Sequence, residues 1–184
     1  MPNKYYFGVF DFDDVLLSID YRRVCKELGI SLDGFSDQKN IKKEPIKFIK
    51  YIAPFLKGKR VDVVTKKIAE HTQYIKEGWE LLTGFYENGG NFIIVTNNPL
   101  ADFILKEKGH EELNSKVYKT TELKVENDIF MGEVIKKGQK IDYLMNCLNG
   151  NEKILIVTDN NTKEERKLSD LLEELGYMVE VIVI

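Results

Sequence analysis

Three apolar runs in this chain each end in a short polar cluster able to act on a charged molecule. Tyr5-Tyr6-Phe7-Gly8-Val9-Phe10 stops at Asp11-Phe12-Asp13-Asp14, Asn91-Phe92-Ile93-Ile94-Val95 at Thr96-Asn97-Asn98, and Lys153-Ile154-Leu155-Ile156-Val157 at Thr158-Asp159-Asn160-Asn161. A hydroxyl and an amide can donate to an anion, and Lys136, Lys137 and Lys140 precede the third run, so one of them can bring an ammonium group. Gathered carboxylates repel one another, and an unpaired charge taken out of water costs on the order of several kcal/mol. A divalent cation resolves that repulsion, and carboxylates with water suit magnesium. With the cation, a hydroxyl and a lysine in place, the local field becomes one that accepts a dianion such as phosphate.

The elements that must hold these groups follow from hydrophobic periodicity. The three runs, and Met178-Val179-Glu180-Val181-Ile182-Val183, read as strands buried on both faces, as in parallel sheets; Lys116-Val117-Tyr118 is a weaker one. Helical stripes lie between them. Val24 and Leu28 precede Gly29; Phe48, Ile49, Ile52 and Phe55 share a face of a helix predicted to begin near Pro45 and end near Pro54; Val61, Val64, Ile68 and Ile75 share a face; Trp79, Leu82, Phe85 and Tyr86 precede Gly89-Gly90. Pro99 suits the first position of a helix carrying Phe103 and Ile104, and two further stripes run over Ile141–Leu148 and Leu168–Leu175. Strands alternating with helices predict an α/β fold with a doubly wound parallel sheet. In such sheets ligands bind at the carboxyl ends of the strands, where the three polar clusters stand. Residues 17–76 break the alternation, with helices and no convincing strand, and predict a helical cap inserted after the first strand. The core is then residues 1–16 and 77–184. Two short runs around Asn127-Asp128 predict a hairpin.

Composition narrows the classes. The 184 residues are 43% hydrophobic and 31% charged with a net charge of −3, which suits one domain with a small insertion and not a bulk-charge nucleic-acid binder. Cys25 and Cys147 sit in apolar helical patterns without a CxxC pair, so they read as core thiols of a reducing compartment. No signal-peptide layout or membrane-spanning run stands out, and the expectation is a soluble, cytoplasmic protein that engages no membrane.

Phe10-Asp11-Phe12-Asp13-Asp14-Val15-Leu16 resembles the first motif of the haloacid dehalogenase (HAD) superfamily, DxDx(T/V). Val95-Thr96-Asn97 is similar to its second, Lys140 in Gln139-Lys140-Ile141-Asp142 to its third, with Lys137 as the alternative lysine, and Asp159 to its fourth. The layout is most similar to phosphoserine phosphatase-like members, which carry a helical cap between the first two motifs and a hairpin before the lysine; residues 122–134 would supply the hairpin. Lys76-Glu77-Gly78-Trp79 resembles their return segment from cap to core.

The resemblance implies a magnesium-dependent phosphatase acting on a small phosphorylated metabolite. Asp11 would attack phosphorus to form an aspartyl-phosphate, and Asp13 would serve as acid and then base. Thr96 and the Asn97 amide would bind the phosphoryl group, and Lys140 would neutralise charge. Asp11, the Asp13 backbone carbonyl, Asp159 and Glu164 would hold Mg²⁺. Glu164 is chosen as the second acid of the fourth motif because Lys163 occupies the alternative place. Asp20 stands near the position of a cap Glu that binds the substrate amine in phosphoserine phosphatases. Thr158 stands where glycine is common, and Asp14 where a small residue is. Two other readings stay open: a degenerate superfamily member that only binds, and a phospho-accepting module resembling a response-regulator receiver.

Overall fold

Phe7, Val9 and Phe10 are buried because their strand lies inside a sheet with a neighbour on each side. In this computed structural model, residues 6–33, 35, 41, 44–150, 153–159 and 163–184 are described. In chain order the elements are β1 Tyr6–Phe10, β2 Leu17–Ile19, α1 Tyr21–Leu28, α2 Pro45–Leu56, α3 Val61–Glu70, β3 Thr72–Tyr74, α4 Lys76–Glu87, β4 Asn91–Thr96 and α5 Ala101–Glu107. A 3₁₀ turn at Glu111–Lys116 follows, then β5 Val117–Lys119, β6 Thr121–Glu126, β7 Ile129–Lys136, α6 Lys140–Cys147, β8 Lys153–Thr158, α7 Lys163–Glu174 and β9 Met178–Val183. The result is the expected α/β fold, a five-stranded sheet in the order β5-β4-β1-β8-β9 flanked by helices. β1 pairs in parallel with β4 and β8, and β8 with β9.

The residues divide into two compact units, 1–18, 74–96 and 139–184 forming one and 19–73 with 97–138 the other. In the first, β1 meets β4 through Phe10↔Ile94 and β8 through Phe10↔Val157. The Phe10 ring packs edge-to-face on Phe85 of α4 (5.6 Å between centroids) and Phe92 of β4 (6.1 Å), geometries that suit aromatic quadrupoles. Aromatic and β-branched residues thus fill both faces of the central strand and fix its register.

The second unit packs its helices around a chain of rings: Tyr21 on Phe48, Phe48 on Phe35, and Phe35 on Tyr51. The Tyr51 hydroxyl donates to the Ser31 carbonyl (2.9 Å), so the polar tip of the cluster is satisfied. β6 and β7 form the predicted hairpin, and Asn127 and Asp128 both take positive φ (50° and 61°), as its two-residue turn requires. The segment between α2 and α3 is stitched to that hairpin, Gly58 N–H donating to Phe130 O and Val61 N–H to Asp128 O, each at 2.9 Å.

Sequence periodicity missed several details. Residues 17–19 and 72–74 form a two-stranded sheet within the stretch read as purely helical. Three-residue strands are too short to display a period of two. α3 ends at Glu70, so Ile75 lies beyond it, at the N-cap of α4. α2 runs through Pro54 to Leu56: proline gives up its bond to the preceding turn, but its fixed φ is helical and lets the last residues continue the helix. α5 starts at Ala101 rather than at Pro99, because the Asn98 side chain accepts the Leu100 N–H (3.0 Å) and makes a turn of the residues between. No helix among the described residues is long and apolar enough to cross a membrane.

Candidate active site

The loop after β1 is held by its own backbone and by buried anchors. Asp11 N–H donates to Val157 O of β8 (2.9 Å), continuing the sheet by one residue. The chain then turns: Leu16 and Leu17 N–H both donate to Phe12 O (3.1 Å each), and Asp14 N–H donates to Leu17 O (2.8 Å). Phe12, Val15, Leu16 and Leu17 are completely buried and pin the loop, while Asp11 and Asp13 stay half-buried. Asp14 has a φ of 59°, a left-handed conformation that Asp tolerates better than bulkier residues, and its carboxylate accepts the Ser18 hydroxyl (3.0 Å). That turn explains why the motif carries an acid at position 14.

α4 backs this loop at contact distance. Ile75 N–H donates to Leu16 O (3.0 Å), and a Cβ placed on Gly78 would lie 1.9 Å from the Val15 carbonyl oxygen. Only a residue without a side chain lets the first turn of α4 pass so close to the loop. The Lys76-Glu77-Gly78-Trp79 segment noted in the sequence contains that glycine.

β1 brings its polar end between those of its neighbours. Extending the register by one step sets Asp11 level with Val95 and Thr158, and the next residues along those strands are Thr96 and Asp159. Adjacent strands are about 4.8 Å apart, so the three clusters leave one sheet edge side by side. Thr96 is fully buried at the last position of β4, and Asp159 is half-buried in the bend after β8.

Lys140 opens α6. Its position is fixed by a reciprocal cap, in which the Gln139 side chain accepts from the Asp142 backbone and the Asp142 carboxylate accepts the Gln139 N–H (3.0 Å). From there Nζ lies 3.1 Å from Asp11 Oδ2, with the two side chains only 18% and 20% exposed. The other Asp11 oxygen accepts the Phe12 N–H (2.8 Å). The carboxylate is therefore oriented by one donor at each oxygen, one of them charged. Lys137 pairs instead with Glu122 at 3.2 Å, near the surface.

In the second unit, Asn97 and Asn98 continue the chain from Thr96. Asn98 is structural: it caps the turn into α5 and donates to the Tyr21 hydroxyl (3.1 Å). Asn97 receives hydroxyl bonds from Thr120 on Oδ1 (2.5 Å) and from Thr121 on its carbonyl (2.8 Å). Asp20 is the N-cap of α1, its Oδ1 accepting the Arg23 N–H (3.0 Å). The structure thus joins Asp11 to Lys140 directly, aligns Thr96 and Asp159 along the same edge, and gives Asp20 a helix end to cap. Glu164 stands in the first turn of α7, but its side chain lies outside the described residues. Sequence reasoning passed over Thr120 and Thr121, whose only signal was a pair of hydroxyls at the mouth of a hairpin.

The donors at the edge suit a hard cation. Among the described residues no three His, Cys, Asp or Glu side chains gather closely enough to hold a metal. Magnesium, however, is commonly held by one or two carboxylates, with water and phosphate oxygens completing the octahedron. Asp11 and Asp159, with the Asp13 carbonyl, match that donor count and chemistry.

No family model matches the chain, and no curated protein matches it in sequence. Solved structures do. The chain is similar, at 16% identity, to a phosphoserine phosphatase solved as a phospho-aspartyl intermediate analogue, with a TM-score of 0.62 over 96% of this chain and 93% of that one. It is similar at 15% identity to a substrate-bound phosphoserine phosphatase complex, with a TM-score of 0.62 over 97% and 93%. A HAD phosphatase from Thermococcus onnurineus matches at 16% identity, with a TM-score of 0.55 over 95% and 84%. The fold is therefore that of the phosphoserine phosphatase-like HAD hydrolases.

Proposed function

We propose that this chain is a magnesium-dependent phosphomonoesterase that works through an aspartyl-phosphate on Asp11 and acts on a small phosphorylated metabolite. The observation that carries the reading is the Asp11–Lys140 pair, 3.1 Å apart and mostly withdrawn from solvent at the carboxyl edge of a parallel sheet. A nucleophilic carboxylate needs its lone pairs aimed, and Lys140 and the Phe12 N–H each donate to one of the Asp11 oxygens. The likeness in fold to phosphoserine phosphatases, one solved as a phospho-aspartyl intermediate analogue, supports the same chemistry.

In this reading Asp11 Oδ attacks phosphorus in line with the leaving alkoxide. Asp13, two residues on, protonates that alkoxide and then takes a proton from the water that cleaves the acyl phosphate. The Thr96 hydroxyl and the Asn97 amide donate to phosphoryl oxygens, and Lys140 balances the negative charge shared between nucleophile and phosphoryl group. Asp11, Asp159, the Asp13 carbonyl and Glu164 would hold Mg²⁺, which when bound offsets the charge of the carboxylates and the incoming dianion. Asp20 is assigned to the substrate's non-phosphate end; Asp20→Asn should then raise KM and leave kcat nearly unchanged.

The purified protein should release inorganic phosphate from an aryl phosphate when supplied with magnesium, and Asp11→Asn should lose more than about 10³-fold of that rate, as expected for a residue that forms the covalent bond. Full activity in Asp11→Asn would remove Asp11 as nucleophile.

A further inference from the structure

Thr120 and Thr121 are buried, 6% and 2% exposed, where the chain enters the hairpin. Their backbone is fixed independently of their hydroxyls. Lys137 N–H donates to Thr120 O (2.9 Å), Thr121 pairs with Lys136 across the β6–β7 ladder, and the preceding residue, Lys119, is salt-bridged to Asp102 of α5 at 2.7 Å. From this frame both hydroxyls converge on one residue. Thr120 Oγ1 donates to the Asn97 side-chain carbonyl and Thr121 Oγ1 to its backbone carbonyl.

Asparagine has a side-chain acceptor and a backbone acceptor, and each receives a threonine hydroxyl here. With both oxygens taken as acceptors, what Asn97 can offer a ligand is its two donors, the Nδ2 amide and the backbone N–H. An asparagine presenting donors suits an anion; one free to flip its amide would present the oxygen half the time. Asn98, by contrast, spends both ends of its side chain on Leu100 and Tyr21.

We infer that Thr120 and Thr121 are positioning residues that lock Asn97 as a donor-only group for the phosphoryl oxygens. The inference rests on the reading of Asn97 as a phosphoryl ligand, not on turnover. The Thr120 hydroxyl sets which face of the Asn97 amide is offered, and Thr121 sets the peptide plane.

Inorganic phosphate, with magnesium present, is the probe. Its binding by calorimetry, and the ¹⁵N–¹H signals of the Asn97 side-chain amide, are followed in the wild type, Thr120→Val and Thr120→Ser. Phosphate should shift the Asn97 pair in the wild type. Thr120→Val should weaken phosphate binding roughly tenfold, the effect of losing one buried hydrogen bond, and Thr120→Ser should restore it. Loss of stability alone would also lower thermal midpoints, so the serine rescue is read against equal melting of the two variants. Phosphate affinity in a folded Thr120→Val within twofold of wild type overturns the inference, as does an Asn97 pair that phosphate leaves unmoved. Phosphate binding that follows this pattern in a protein that hydrolyses no ester would instead keep the clamp and discard the phosphatase reading.

Discussion

Two lysine–carboxylate pairs, one at the carboxyl edge of the sheet and one at the foot of the hairpin, have almost the same length. Lys140–Asp11 measures 3.1 Å and Lys137–Glu122 3.2 Å, yet the first pair's side chains are 18% and 20% exposed and the second's 42% and 35%. Distance does not separate them; water does. A charge held partly out of solvent acts through a lower effective dielectric, whereas an exposed pair is screened and contributes little. Two residues of chain, Gly138 and Gln139, separate a lysine held against Asp11 from one that solvates a surface.

Substitution of each lysine by Met should break that symmetry most visibly. Lys140→Met is expected to lower kcat/KM by about 10² to 10³, the range seen when a preorganised donor to a reacting oxygen is lost. Lys137→Met should leave kcat/KM within about twofold. Equal losses in steady-state assays would mean that burial is not what distinguishes the two pairs.

Gly78 tests whether the edge depends on close backing by α4. Gly78→Ala forces a methyl against the Val15 carbonyl and should cost ~1–3 kcal/mol in urea unfolding, the usual cost of overpacking. Because the strained contact lies in the loop that carries Asp11 and Asp13, kcat should fall as well. A variant as stable and active as the wild type would show that the loop yields without consequence.

The smallest effect concerns a thiol in the second unit. Cys25 is buried in α1, and desolvation pushes its pKa up to about 11 from an ordinary 9.0. Folding therefore opposes its ionisation. Its contribution to stability is complete below pH 9 and is lost as pH rises towards 11, and at neutral pH the thiol should resist alkylation in the native state. Intact-mass timing of iodoacetamide labelling checks this, with the half-buried Cys147 expected to react first.

The parts of the molecule that repeat over five or six residues were legible in the sequence. The runs ending at Phe10, Val95, Val157 and Val183 declared strands, and the polar ends of the first three declared the edge at which Asp11, Thr96 and Asp159 stand. The hairpin was visible in Asn127-Asp128, two residues that tolerate positive φ. What stayed hidden was set by three-dimensional context. β2 and β3 are too short to show periodicity. Lys137 lies before a capping box and Lys140 inside it, and that box becomes apparent only once Gln139 and Asp142 face each other. Asp20 reads in the sequence more readily as a helix cap than as a ligand, and the bond that makes it a cap, from the Arg23 N–H, spans a turn that only the fold displays. Thr120 and Thr121 act on a residue more than twenty positions away, a pairing no local pattern encodes.

The account turns on whether phosphorus is ever bonded to Asp11. Rapid acid quenching of the protein during turnover of a radiolabelled aryl phosphate, followed by borohydride reduction and peptide sequencing, should convert residue 11 alone from aspartate to homoserine. Steady turnover with no label on the acid-quenched chain before reduction, or homoserine found at a position other than 11 after it, would contradict it.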